Sequence, residues 1–173
     1  MKKFILVIAL FFFAGNAFCQ EFPSGFAGHW QGELQWFKAG NTVPQKVNMQ
    51  LIIQKTDTPG TWHWQLVYGD QSADSRPYLL RAIDSLKGHW VVDERNGIML
   101  DHYWIGNRLA GSFSVEGTTI LNSFRREGDS LVVEFYSNGS GPVRTSGGSN
   151  DIPTVNSFAA KAYQYAILKK RKD

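Results

Sequence analysis

The sequence predicts an all-β protein, an up-and-down antiparallel β-barrel of about eight to ten strands, on three observations. Apolar and polar residues alternate along most of the chain, the alternating runs recur about every ten residues, and Gly, Asn, Asp and Pro punctuate them. A period of two turns one face of each run to a core and the other to water, the pattern of antiparallel sheet.

Taken in order, Gly28, Trp30, Gly32, Leu34 and Trp36 alternate with His29, Gln31, Glu33 and Gln35, which predicts a first strand. Val47, Met49, Leu51 and Ile53 alternate with Asn48 and Gln50 to give a second, and Trp62, Trp64, Leu66 and Tyr68 with His63 and Gln65 a third. Further runs follow at 77–84, 88–95, 97–105, 108–115, 118–127 and 130–137. Asn96-Gly97 is a two-residue hairpin signal, because both central residues of a type I′ turn need positive φ. Thr58-Pro59-Gly60, Gly106-Asn107, Glu116-Gly117 and Gly128-Asp129 mark other turns. Consecutive strands joined by such short turns pair as a meander, and a twisted sheet of this size curls and closes, which removes its edges. A two-sheet sandwich is the alternative, but its crossovers need longer connections than most of those present.

Two regions depart from the rhythm. Residues 138–154 are rich in Gly, Ser and Asn and are expected to form a flexible loop, either a lid or a disordered stretch. Over 155–170, Phe158, Ala162, Tyr165 and Ala166 have helical spacing, whereas Tyr163, Tyr165 and Ile167 alternate. A closing strand near 161–170 is favoured, because a barrel needs its last strand to meet its first.

Residues 1–19 read as a secretory signal: Met1-Lys2-Lys3, an apolar run from Phe4 to Ala14, then small residues before Gln20-Glu21. The run is shorter than the roughly 20 residues of a spanning helix, so no transmembrane segment is expected. Cleavage fits after Ala17 or after Cys19; Phe18 sits badly where a lipid-anchored Cys19 needs a small neighbour. The expected product, 20–173, is a single domain, periplasmic or secreted. Lys2 and Lys3 leave with the signal and no acid does, so 18 basic against 15 acidic residues become 16 against 15. Four of those bases close the chain at Lys169, Lys170, Arg171 and Lys172. The rest is nearly balanced, and a nucleic-acid partner, which needs a clustered basic face, is not expected. Cys19 is the sole cysteine, so the exported domain has no disulfide. Six Trp, 6 Tyr and the seven Phe that follow residue 19 supply ample core for its size.

Gly28-His29-Trp30, at the start of the first strand, resembles the Gly-x-Trp signature of the lipocalin-like, calycin-type barrels. The resemblance implies a central cavity for a small, usually apolar ligand. It also implies that Gly28 and Trp30 are structural, with Trp30 closing one barrel end beneath a late basic residue such as Arg126 or Arg171. The sequence departs from the family in lacking a disulfide and a clear Thr-Asp-Tyr motif; Asp101-His102-Tyr103 is a partial echo.

A barrel is lined by the inward residues of its strands. The more apolar parity gives Trp30, Trp36, Met49, Leu51, Trp62, Trp64, Tyr68, Ile98, Leu100, His102, Trp104, Leu109, Phe113, Ile120, Phe124, Val133 and Phe135. The polar residues among or beside them, His102, Asn122 and Arg126, are informative, because a few polar groups in an apolar cup orient a ligand. The candidate ligand-binding residues are thus Trp62, Trp64, Tyr68, His102, Trp104, Asn122 and Arg126. No metal or cofactor is expected: His29, His63, His89 and His102 lie on separate strands with no ligand-like spacing. No Gly-x-Ser-x-Gly elbow occurs, and no residue is assigned as catalytic. Asp93, Glu94 and Asp101 flank one hairpin and read as solvated surface. The expected function is binding of a small hydrophobic or amphipathic ligand. The alternatives are an interaction or inhibitor module using 138–154, and an enzyme with His102 as acid or base assisted by Asp101 or Arg126.

Overall fold

The computed structural model describes residues 22–69 and 74–171. The expected signal 1–19, with Cys19, lies outside them. Ten strands follow in chain order: β1 (Gly28–Lys38), β2 (Gln45–Lys55), β3 (Thr61–Tyr68), β4 (Asp74–Asp84), β5 (His89–Asp93), β6 (Met99–Ile105), β7 (Arg108–Val115), β8 (Thr118–Glu127), β9 (Ser130–Ser146) and β10 (Val155–Lys170). Each pairs antiparallel with the next, and β10 returns to β1 to close the barrel, with Trp30 opposite Lys170 and Leu34 opposite Ala166. The period-two runs set the register. Trp30, Met49, Leu51, Ile53, Trp64, Leu80, Leu109, Phe124, Leu131, Val133 and Leu168 fill one continuous core and are almost wholly buried. Each such side chain removed from water contributes about 1.5–3 kcal/mol.

Three differences from the sequence reading have physical causes. The stretch 138–154 is for the most part not a loop: β9 runs on to Ser146, β10 begins at Val155, and the turn occupies 147–154. Its small polar residues sit on a two-stranded arm that passes the last pairing with β8, Thr118 with Gly139, so they need no apolar face. Second, 155–170 is strand throughout, since cross-strand pairing with β9 and β1 outweighs the helical spacing of Phe158, Ala162 and Ala166. Third, Ile98 lies in the β5–β6 turn and is exposed rather than inward.

The two barrel ends differ. At the end where β1 starts, residues 22–27 fold back as a 3-10 turn (Ser24–Phe26) over the core. Phe22 stacks on Trp104 at 4.7 Å and meets Trp90 edge-on at 5.1 Å, and Phe26 meets Trp104 edge-on at 5.6 Å. Trp30 Nε1 donates to Phe26 O at 2.8 Å. The guanidinium of Arg126 lies 5.8 Å from the Trp30 ring and the ammonium of Lys170 5.6 Å, while Arg126 donates to Gly25 O and Gly128 O. The last-strand base over Trp30 is therefore Lys170, one residue before Arg171. Gly28 has φ +144°, a backbone conformation that favours glycine; a Cβ there would also press on the movable end of the Lys170 side chain.

Candidate functional site

Among the described residues the opposite end is open, and there the inward face becomes the wall of a cavity. Leu34, Trp36, Val47, Phe113, Val115, Ile120 and Phe135 give it an apolar lining, and Tyr68, Arg76, Glu94, Ser137 and Gln164 its polar points, around about 460 Å³. A deeper recess of about 80 Å³ continues inward among Trp64, Leu66, Tyr78, Val92, Leu100, His102 and Asn122. The two spaces share Tyr68, Arg76, Glu94, Phe113 and Phe135. A more polar hollow of about 510 Å³ lies elsewhere, among Gln31, Gly32, Asn48, Met49, Gln50, Gly69 and Arg171; Met49 is the one large apolar residue along it.

His102 forms the polar floor of the recess and is 1% exposed. Its Nδ1 lies 2.9 Å from Leu100 O and its Nε2 3.0 Å from Asn122 Oδ1. Asn122 Oδ1 also accepts the Gly111 N–H at 3.1 Å, which fixes the amide orientation. Both ring nitrogens thus face oxygen acceptors, an arrangement suited to an imidazolium. Burial opposes the charge and outweighs those hydrogen bonds, holding the imidazole below its ordinary range. Gly111 makes room: a Cβ there would lie 2.6 Å from Nε2.

At the mouth, Arg76 donates Nε–H to Asp74 Oδ1 at 2.8 Å and Nη2–H to Oδ2 at 2.7 Å, and its guanidinium lies 5.0 Å from the Tyr68 ring. That fork lowers the Asp74 carboxyl and raises Arg76. Burial pushes the Tyr68 hydroxyl up to about 12 against the opposing pull of Arg76. Tyr78 is raised too, first by burial and then by the Glu94 carboxylate. Trp36 Nε1 is buried and has no hydrogen-bond partner among the described residues.

Of the residues expected from sequence, Trp64, Tyr68, His102 and Asn122 come together around the cavity. Trp62, Trp104 and Arg126 do not. Parity gives the face a residue points to but not its height in the barrel. Trp62 lies two residues from Trp64 toward the sealed end, where it packs against the core, and Trp104 is two beyond His102, stacked under Phe22. Arg126 lies over Trp30 at that same end. The acid–base pairing expected for His102 is not formed. Asp101 Oδ1 instead sits 2.6 Å from His89 Nε2, and Arg126 is at the far end. Asp93 is not solvated: it is 8% exposed and pairs with Arg81 at 2.8 Å. Among the described residues no three His, Cys, Asp or Glu side chains group to hold a metal ion.

The sequence reading passed over Leu34, Val47, Arg76, Tyr78, Glu94 and Gln164. Leu34 and Val47 share the parity of Trp36 and Met49 and were findable from it. Arg76 sits among polar residues at the start of β4, and Glu94 just past the end of β5, where alternation gives no guide.

The fold is similar to the crystal structure of a protein of unknown function from the DUF3598 family of Nostoc punctiforme, with a TM-score of 0.58 at 10% identity. The match covers 84% of this chain and 47% of that one, so the chain spans about half the length of that structure. At this identity the likeness is one of fold. No protein-family description matches the sequence, and no curated protein matches it.

Proposed function

We propose that the protein is a lipocalin-like exported barrel that takes a small hydrophobic or amphipathic ligand into the mouth cavity. One observation carries this reading: the inward face is solidly packed at the Trp30 end but leaves about 460 Å³ of largely apolar-walled space at the other. Pockets for small molecules fall at about 300–1,000 Å³, with a few placed polar groups on an apolar lining. Export rests on the charge and apolar pattern of residues 1–19.

Trp36 and Trp64 line this space, so a guest should quench or shift tryptophan emission. Native mass spectrometry of protein purified from its own host should show a retained small molecule. Val47→Trp, which fills the mouth, should abolish both effects while the protein stays folded. Unchanged emission with every amphiphile tried, and no retained mass, would sink the reading.

A second reading, an interaction module, draws on the β9–β10 arm, which exposes Val143, Ile152, Val155 and Phe158. The catalytic reading lacks an equivalent, since neither assisting group reaches His102 and both ring nitrogens are engaged.

A further inference from the structure

Resting on the cavity reading, we infer that the mouth selects an amphipathic organic cation, an amine or quaternary ammonium carrying an apolar body. The inference comes from the charges on the lining. Only two lining residues, Arg76 and Glu94, are charged at neutral pH, and both border the outer space as well as the recess. They are not equivalent. Arg76 is closed into a two-bond fork with Asp74, so its charge is matched and two of its donors are used. Its guanidinium also lies at the Tyr68 ring, leaving little of it to receive an incoming anion.

Glu94 has no cation within ion-pair distance among the described residues. Its neighbours are neutral donors: Asn96 Nδ2 at a long 3.4 Å, and the Tyr78 hydroxyl, which its carboxylate raises by charge and by hydrogen bonding. Of the two charged lining residues, Arg76 is paired with Asp74 and Glu94 is paired with no cation, so Glu94 is the unmatched charge of the lining among the described residues. Lys38 lies 5.1 Å over the Trp36 ring but is exposed and does not line the space, so water and salt screen it. The wall that Glu94 shares also carries Phe113 and Phe135, whereas the Tyr68 ring is already taken by Arg76. A carboxylate in one wall with aromatic rings attracts a cation by Coulomb attraction and through the ring quadrupoles, and repels a carboxylate head. The apolar body would then lie along Leu34, Val47 and Ile120.

The test uses three ten-carbon probes below their micelle concentrations: decyltrimethylammonium, decanol and decanoate. Each is titrated into the protein by calorimetry at low salt, with Glu94→Gln in parallel. Decyltrimethylammonium should bind at least ten-fold more tightly than decanoate. Glu94→Gln should erase that preference and leave decanol binding unchanged, which also reports that the variant is folded. Equal or tighter binding of decanoate, or a preference that survives in Glu94→Gln, overturns the cation assignment and leaves the cavity reading standing. Failure of all three probes to bind overturns both.

Discussion

Asn122 Oδ1 lies 3.0 Å from His102 Nε2, so one buried amide oxygen on β8 ties the imidazole of β6 into the floor of the cavity. The same oxygen holds the Gly111 N–H of β7 between them, so three neighbouring strands meet at one acceptor. Removing that acceptor would orphan the buried Gly111 N–H, and the His102 Nε2–H in the tautomer that carries it, each at a cost of about 1–3 kcal/mol. The recess therefore has a polar floor fixed by these contacts.

The imidazole gives stability a pH dependence of known sign. Burial holds His102 below its ordinary 6.5, so the unfolded chain takes up the proton first. The contribution of the neutral ring is fully present above about pH 6.5 and is lost as pH falls toward the folded-state value. The slope is at most about 1.4 kcal/mol per pH unit. Urea midpoints at pH 8, 6.5 and 5 should fall more steeply for the wild type than for His102→Gln; parallel slopes would place the titrating group elsewhere.

Gly111→Ala should destabilise by about 1–3 kcal/mol through overpacking. A methyl there meets three ring atoms of His102 within 2.6–2.9 Å. Most of that loss should vanish when His102→Ala is made as well, which a double-mutant cycle in urea reads directly. An undiminished penalty in the double variant would mean that the backbone, not the ring, is the obstacle.

Stability and binding should separate at the sealed end. Arg126→Ala removes two charge-assisted bonds to Gly25 O and Gly128 O and the cation over Trp30, for about 1–3 kcal/mol. Trp30→Ala should cost more, about 3–5 kcal/mol. In both, a thermal melt should fall while ligand affinity at temperatures well below the midpoint stays at the wild-type value.

Beyond the Ser140 N–H bond to Gly117 O, at 3.1 Å, the β9–β10 arm is paired only with itself among the described residues, and a lone two-stranded hairpin is marginally stable. Replacing residues 140–158 with Asn-Gly should change unfolding free energy by no more than about 1 kcal/mol. Retained ligand binding in that variant, checked by tryptophan emission, would separate the cavity from any role of the arm in protein–protein contact.

Much of this architecture was legible in the chain because inward and outward sides repeat with period two, as at Met49, Leu51 and Ile53. The barrel type and a β5–β6 hairpin followed from pattern, although its positive-φ residues are Arg95 and Gly97 rather than the Asn96-Gly97 pair of a type I′ turn; the Trp30–Arg126 contact was what the lipocalin-like resemblance implied. The site was only half legible. Parity assigned Trp64, His102 and Trp104 to one face, but their depth depends on where each strand starts relative to its neighbours. β5 also defeats alternation, because Trp90, Val91, Val92 and Asp93 are all buried. The next residue, Glu94, therefore looked like the tail of a solvated acidic pair. The arm was misread because small polar residues are as compatible with an exposed two-stranded ribbon as with a loop.

Because Phe22, Phe26 and Trp30 stopper one end, among the described residues entry and exit of any guest share the mouth that Arg76 and Phe135 help to line. By microscopic reversibility, a substitution that narrows that mouth without touching the seated guest slows association and dissociation by the same factor. Its Kd would be unchanged. Equilibrium titration is blind to such a variant, whereas stopped-flow traces would resolve it, so residence time and affinity can be tuned independently at the rim.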